Sequence, residues 1–308
     1  MNKKVYVIHE NDEWVVPLRV EFKKIKTPFK EWHMGRDKIK FNDVPPNGIF
    51  YNRMSASSHS RGHRYAPEET MKVLKWLESH NKRIVNNSKA LNLEISKQAQ
   101  YIELKKHNIK IPETFFCKDK NDLIKNSKIF KKPFIIKHNR GGRGLGIKYF
   151  KNSDELVKHV NSDQFEPSID GITLIQEYIV STPQLITRVE LVNSQLLYAV
   201  QVDATESFEL CPADACNLEE KFCPANPDGN KFMIVKDYKN NEINKYLTMI
   251  QSNGIEIAGI EYIKGSDGEH YTYDINTNTN YNLIAEKKSD HKGMHAIANF
   301  LSDELKKI

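Results

Sequence analysis

The sequence predicts an α/β protein assembled from α+β sub-domains, and three observations carry that prediction. Short apolar strands alternate with a helix-periodic stretch over the first 90 residues. A glycine-rich loop, "RGGRGLG", stands between two apolar strands near the middle of the chain. Beyond it, runs of β character dominate in an order suited to antiparallel pairing. At 308 residues the chain is long enough for two or three sub-domains sharing one or two cores.

The elements follow in order. "KVYVIH" reads as a first strand: its apolar run stops at Ile8, too short for a signal peptide. No apolar run approaches the roughly 18 residues that span a bilayer, so a cytoplasmic location without a membrane partner is expected. "GIFYN" and "RIVN" are further strands around a helix, "PEETMKVLKWLESH", where Met71, Leu74 and Leu77 recur at helical spacing and Pro67 suits the first turn. These make a small α/β domain over residues 1–90. In a second unit, 91–170, "ALNLEISKQAQYIELKKHN" reads as one helix, "FFC" as a strand and "KNDLIKN" as a helix. Pro133 introduces the strand "FIIK", the glycine loop turns back into "IKYF", and Ser153 N-caps "NSDELVKHV". In a third unit, 171–308, "TLIQEYI", "QLITRVEL" and "QLLYAVQVD" read as consecutive antiparallel strands of a mixed sheet. A Cys/Pro segment without periodicity, 208–230, comes next. The helix "NEINKYLTMIQSN", the strands "IEIAGIEYI" and "EHYTYDIN" and a last helix, "KGMHAIANFLSDELKK", complete the order.

Charge is unevenly divided. The net +6 hides 32 Lys/Arg against 15 Asp/Glu in residues 1–150, and 14 against 25 in the remainder. Such a division suits phosphates on one side and metal ions on the other. A nucleic-acid partner is not expected, because the basic residues are not interleaved with aromatics on a recognisable motif. Cys211, Cys216 and Cys223 lack the paired spacing of a zinc ribbon and read as reduced thiols.

The glycine loop is the sharpest signal. A Walker loop opens directly into a helix, yet Gly146 leads into the strand Ile147-Lys148-Tyr149. The dinucleotide fingerprint also needs a following helix and a different glycine spacing. What remains is a flap between two strands, whose backbone N–H groups at Arg140, Gly141, Gly142, Gly144 and Gly146 fold over phosphates. Lys137 ends the preceding strand, and Lys97 reaches the same site from the helix before it, each as a point charge for phosphate oxygen.

An acidic end complements it. On "HYTYDIN", alternation puts Tyr271, Tyr273 and Ile275 on one face and Thr272, Asp274 and Asn276 on the other. Asp274 and Asn276 at i and i+2, with Glu261 on the neighbouring strand, offer the hard oxygen ligands that Mg²⁺ prefers.

With these motifs the chain resembles the ATP-grasp superfamily, and within it the RimK-type glutamate ligases and glutathione synthetases, over roughly residues 88–285. The resemblance implies an ATP-grasp fold: two α+β sub-domains gripping ATP after an N-terminal pre-ATP-grasp domain. It implies that Lys97 and Lys137 are the phosphate lysines, "RGGRGLGI" the flap and "IQEYI" the hinge strand where adenine lies against Gln176, Glu177, Tyr178 and Ile179. It further implies that Arg188 in "TRVELV" faces the phosphates and the acyl intermediate, with Lys137 as its catalytic companion. Glu261, Asp274 and Asn276 become the ligands of Mg²⁺, or of Mn²⁺ in its place. Three departures stand out: Asp and Glu are exchanged between the two metal strands, Ile186 replaces an acidic residue, and segment 208–230, with Lys221, replaces an Arg/Asn-rich one.

The activity implied is an ATP-dependent carboxylate–amine ligation through an acyl phosphate, releasing ADP and phosphate, on amino acid or peptide substrates. A homodimer is common among such enzymes. The loop 51–68, "YNRMSASSHSRGHRYAPE", follows a strand end of the first domain and gathers Asn52, Arg53, Ser55, His59, Arg61, His63 and Arg64. Its arginines suit a substrate carboxylate or phosphate. The alternatives are an ATP-grasp kinase acting on a small molecule, and an ATP-binding module without turnover.

Overall fold

The computed structural model describes residues 3–142, 144–181, 183, 185–203, 232–287 and 289–308. Segment 208–230, with Lys221 and the three clustered cysteines, lies outside the described residues.

The first sheet is parallel, in the order β2-β1-β3-β4: β1 (Lys4–His9), β2 (Phe29–His33), β3 (Gly48–Asn52) and β4 (Arg83–Val85). It is flanked by α1 (Asp12–Lys24) and α2 (Ala66–Ser79). The sequence reading lacked α1 and β2. Pro17 inside α1 breaks the expected pattern, yet Asn11 caps the helix and Trp14, Val15, Leu18 and Phe22 are buried at helical spacing.

The expected single helix over "ALNLEISKQAQYIELKKHN" is two, α3 (Ser88–Ile95) and α4 (Lys97–Lys106). Ser96 between them is extended, and its hydroxyl caps α4 by accepting from Ala99 N–H. That break makes Lys97 the first residue of α4. The second sheet, order β5-β8-β6-β7, is antiparallel: β5 (Thr114–Cys117), β6 (Phe134–His138), β7 (Lys148–Phe150) and β8 (Thr173–Glu177). It carries α5 (Lys120–Ser127) and α6 (Ser153–Val160). Two expectations are corrected here. Asn152 rather than Ser153 caps α6. β8 pairs with β5 and β6 instead of joining the following strands, so this sheet runs past residue 170.

The third sheet is antiparallel in the order β11-β10-β9-β12-β13: β9 (Leu185–Val192), β10 (Gln195–Asp203), β11 (Phe232–Val235), β12 (Ile257–Lys264) and β13 (His270–Asn276). One face packs on α7 (Ile243–Ser252), α3 and α4, through Tyr246, Met249, Leu104, Ile260 and Ile275. The other shares a core with the first sheet. There α9 (Gly293–Lys307), preceded by the short α8 (Leu283–Lys287), packs against α1, β1, β3 and β9. Val5, Leu18 and Phe22 join Val192, Ile257 and Leu301 in one apolar cluster. Among the described residues no helix is long and apolar enough to cross a membrane.

Candidate active site

A cleft with about 1350 Å³ of free space, its open mouth included, lies where the three sheets meet. Its walls come from the glycine loop, the end of β8, the third sheet, and Trp14 with Ser55, Ala56 and Ser57 of the first domain.

Register builds the acidic end. Glu261 on β12 stands opposite Arg188 on β9 and Asp274 on β13. Arg188 Nη1 donates to Glu261 Oε1 at 3.1 Å and Nη2 to Thr279 Oγ1 at 2.5 Å, while its Nε lies 2.6 Å from Glu190 Oε1. Room for the guanidinium exists because residue 259 is glycine: a Cβ there would sit 2.5 Å from Arg188 Nε. Asn276 donates to Glu261 Oε1 at 3.2 Å. Burial raises the Glu261 carboxyl above its ordinary range. Burial also pushes Asp274 upward, but the Lys97 ammonium at 2.5 Å, together with Lys137 and Arg188, more than offsets this and holds it low. Burial lifts Glu190 to about 6.

The expected alternation along β13 fails at one point. A bulge at Tyr273, opposite the step from Glu261 to Tyr262, resets the pleat. Thr272 consequently turns inward to Tyr246 OH at 2.7 Å, on the core side with Ile275, and does not share the face of Asp274. Tyr273 OH instead donates to Glu261 Oε2 at 3.0 Å. The Asp/Glu exchange leaves two carboxylates and one amide together, an all-oxygen set that fits Mg²⁺ or Mn²⁺.

Lys137 enters from β6 and is buried. Its ammonium donates to Tyr101 OH at 2.7 Å and to the Tyr273 carbonyl at 3.5 Å, both neutral. Burial, reinforced by Lys97, lowers it to about 7. Tyr101 also accepts from Gln176 Nε2 at 2.6 Å, which fixes the Gln176 amide. Glu177, Tyr178 and Ile179 continue along the cleft, with Glu177 accepting from Glu113 N–H at 2.7 Å.

The flap is divided. Gly141, Gly142 and Gly144 line the cleft. Gly146 packs on His138, and Arg140 turns away: its Nη1 donates to Glu68 at 2.6 Å and its Nη2 to the Arg64 carbonyl at 2.9 Å. Arg140 thus fastens the flap root to the first domain.

The loop 51–68 is similarly committed. Arg53 is buried and donates to Asn278 at 3.0 Å, Asn280 at 2.9 Å and the Thr279 carbonyl at 3.1 Å. Arg61 forks onto Glu10, and Arg64 bonds Glu68 and the Ile169 carbonyl. Asn52 caps Met54 N–H, His63 lies edge-on to His33, and His59 is half-buried off the cleft. Of the seven residues expected there, Ser55 lines the cleft. Sequence reasoning missed Tyr101, Glu190, Gly259, Thr279 and also Glu94, which lines the cleft and accepts from Thr277 N–H at 2.7 Å. Glu190 stands two residues after Arg188 on a strand and Tyr101 four after Lys97 on a helix, so periodicity held a signal for both.

A glycine loop, two lysines, an arginine, two carboxylates and an amide surround one cleft between α+β sub-domains, and the fold is an ATP-grasp fold. Residues 96–211 match the family model described as the RimK-like ATP-grasp domain. The whole chain is similar in fold to several solved ATP-grasp structures. The ATP-grasp ligase PsnB complexed with its minimal precursor is 14% identical, covering 99% of this chain and 100% of that one with a TM-score of 0.69. A RiPP-associated ATP-grasp ligase from Chryseobacterium gregarium, in complex with ADP and a leader and core peptide, is 14% identical, with coverages of 99% and 97% and a TM-score of 0.67. D-alanyl-alanine synthetase A from Vibrio cholerae is 12% identical, with coverages of 99% and 99% and a TM-score of 0.69. No curated protein gives a match.

Proposed function

We propose that the chain is an ATP-dependent carboxylate–amine ligase acting on a peptide or amino acid. The observation that carries this reading is Lys137, a buried ammonium facing neutral oxygens at the head of a glycine flap, across the cleft from Glu261, Asp274 and Asn276. A cation so placed calls for an anion of the size and charge of a nucleotide phosphate. Mg²⁺, held by Glu261, Asp274 and Asn276, would neutralise the charge gathering on the transferred phosphoryl group.

The substrate carboxylate attacks the γ-phosphorus, the bond to ADP breaks, and an acyl phosphate forms. An amine then attacks the acyl carbon, the C–O bond to phosphate breaks, and the ammonium proton passes to solvent as the amide forms. Lys97 and Lys137 hold the phosphates, Arg188 faces the acyl phosphate, and Gly141, Gly142 and Gly144 exclude water that would hydrolyse it. Adenine would rest along Gln176 to Ile179. The peptide-bound relatives support a peptide carboxylate, and the D-alanyl-alanine synthetase supports a free amino acid. The reading carries with it a cytoplasmic location, where ATP is supplied, and a homodimer as the assembly to test.

The test is ADP release from Mg²⁺-ATP in the presence of pools of amino acids and short acidic peptides, with Asp274→Ala as control. A pool that raises release, lost in the variant and yielding an amide by mass spectrometry, supports the ligase. A phosphorylated product without amide would replace it by the kinase reading; nucleotide binding that no pool converts into release favours a module without turnover.

A further inference from the structure

We infer that His9, Asp12 and His33 form a second metal site, separate from the oxygen triad, for a divalent ion of the zinc class. His9 and His33 end adjacent parallel strands and are direct register partners, so their imidazoles stand side by side at the carboxyl edge of the first sheet. Asp12 opens α1 three residues after His9. One ligand atom from each of the three lies within 4.8 Å of the others. Tetrahedral zinc with bonds of about 2.0–2.1 Å needs ligand atoms about 3.4 Å apart. Binding would therefore draw the three ligand atoms together from within 4.8 Å.

The surroundings of His9 point to a ligand. It is 1% exposed, and its Nε2 meets Glu31 Oε2 at 3.1 Å. Glu31 is itself gripped by Arg19 through two bonds of 2.6 Å. A carboxylate that takes one ring N–H and leaves the lone pair on the other nitrogen is the usual support of a metal-bound histidine. That other nitrogen, Nδ1, is buried and has no hydrogen-bond partner. Such a nitrogen is costly to keep unless something binds it.

The other two ligands have partners that a metal would displace. His33 Nδ1 accepts from Gly35 N–H at 3.2 Å, the long limit for such a bond. Asp12 accepts at 2.7 and 2.9 Å from Arg36, whose side chain is 59% exposed and whose guanidinium a metal would displace. Its guanidinium stands where a metal would supply positive charge, and Arg19 adds a contact at 3.3 Å. Two imidazoles and a carboxylate select Zn²⁺, Co²⁺ or Ni²⁺ over Mg²⁺. His63, edge-on to His33 with ring centroids 5.2 Å apart, links this site to the loop 51–68. Metal there braces the loop from behind.

The test uses the full chain carrying Asp274→Ala, which removes a ligand from the oxygen triad. Co²⁺ is titrated by visible absorption and Zn²⁺ by calorimetry. One Co²⁺ per chain is expected, with a ligand-field spectrum lacking thiolate charge-transfer and displaced by Zn²⁺. His33→Gln and Asp12→Asn should each weaken binding by tenfold or more, and Glu31→Gln by about 10–100-fold. Asp12→Asn changes a half-exposed side chain, so it decides the matter if His33→Gln does not fold. Absence of uptake, affinity in the Asp12 and His33 variants unchanged from the parent, or a thiolate charge-transfer band would each overturn the site. The outcome is independent of ligase activity, since neither readout involves ATP.

Discussion

Lys97 Nζ lies 2.5 Å from Asp274 Oδ1, joining the first turn of α4 to the strand that carries the candidate metal ligands. Each charge neutralises the other here, and phosphate with Mg²⁺ would let both exchange partners. Asp274→Ala is expected to lower kcat/KM for ADP release by about 10²–10³-fold. Lys97→Met, which removes one phosphate contact, should mainly raise the KM for ATP, by roughly tenfold. Steady-state kinetics on the two variants separates these effects.

Lys137 makes ATP binding proton-linked. Its folded pKa of about 7 lies below its ordinary 10.5. Between those values the unfolded chain binds the extra proton, so this group makes stability rise as pH climbs from 7 toward 10.5. Phosphate oxygens favour the ammonium, so ATP binding at about pH 8.5 should take up nearly one proton, falling toward none at about pH 6. Calorimetry in buffers of different ionisation enthalpy measures this, and Lys137→Met should abolish it.

Gly146 has φ +73°, and a Cβ on it would lie 2.4 Å from the His138 ring. Gly146→Ala should therefore displace the flap and weaken ATP binding. Gly62→Ala has φ +81° and open space around it, so it should show only the strain of the left-handed backbone, about 1–2 kcal/mol. Adding His138→Ala to Gly146→Ala should restore part of the affinity. Nucleotide titration of the four proteins decides it.

Arg53 reaches across 225 residues of sequence to Asn278. Arg53→Ala leaves Asn278, Asn280 and the Thr279 carbonyl without their donor and should cost about 3 kcal/mol of unfolding free energy. Arg53→Lys should recover little, since an ammonium cannot reproduce the fork. Denaturant midpoints report both.

The fold class and the ATP-grasp resemblance were legible because they rest on local order: a strand, a glycine loop and a strand, then an acidic residue on one strand and D-x-N on the next. Lys137, Glu261 and Asp274 were singled out on the same local grounds, and the structure gathers them around one cleft. The arginines of loop 51–68 were visible as charges but not as partners. Glu10, Glu68 and the Asn278–Asn280 stretch that satisfy them lie on other elements, and no periodicity connects positions so far apart. The bulge at Tyr273 was hidden because alternation assumes an unbroken pleat. Ser96 escaped because a serine within a helical pattern looks the same whether it ends one helix or starts the next.

The placement of α9 against α1, β1 and β3 sets a timetable. Residues 3–90 are made before α9, and Leu18 and Phe22 join Leu301 in one core only after residues 293–307 have been synthesised. At 5–20 residues per second that wait is roughly 10–60 s. During it α1 and the first sheet hold that apolar surface open. A change that frays α9 should therefore be felt first at the opposite end of the sequence, as a domain that never finishes folding.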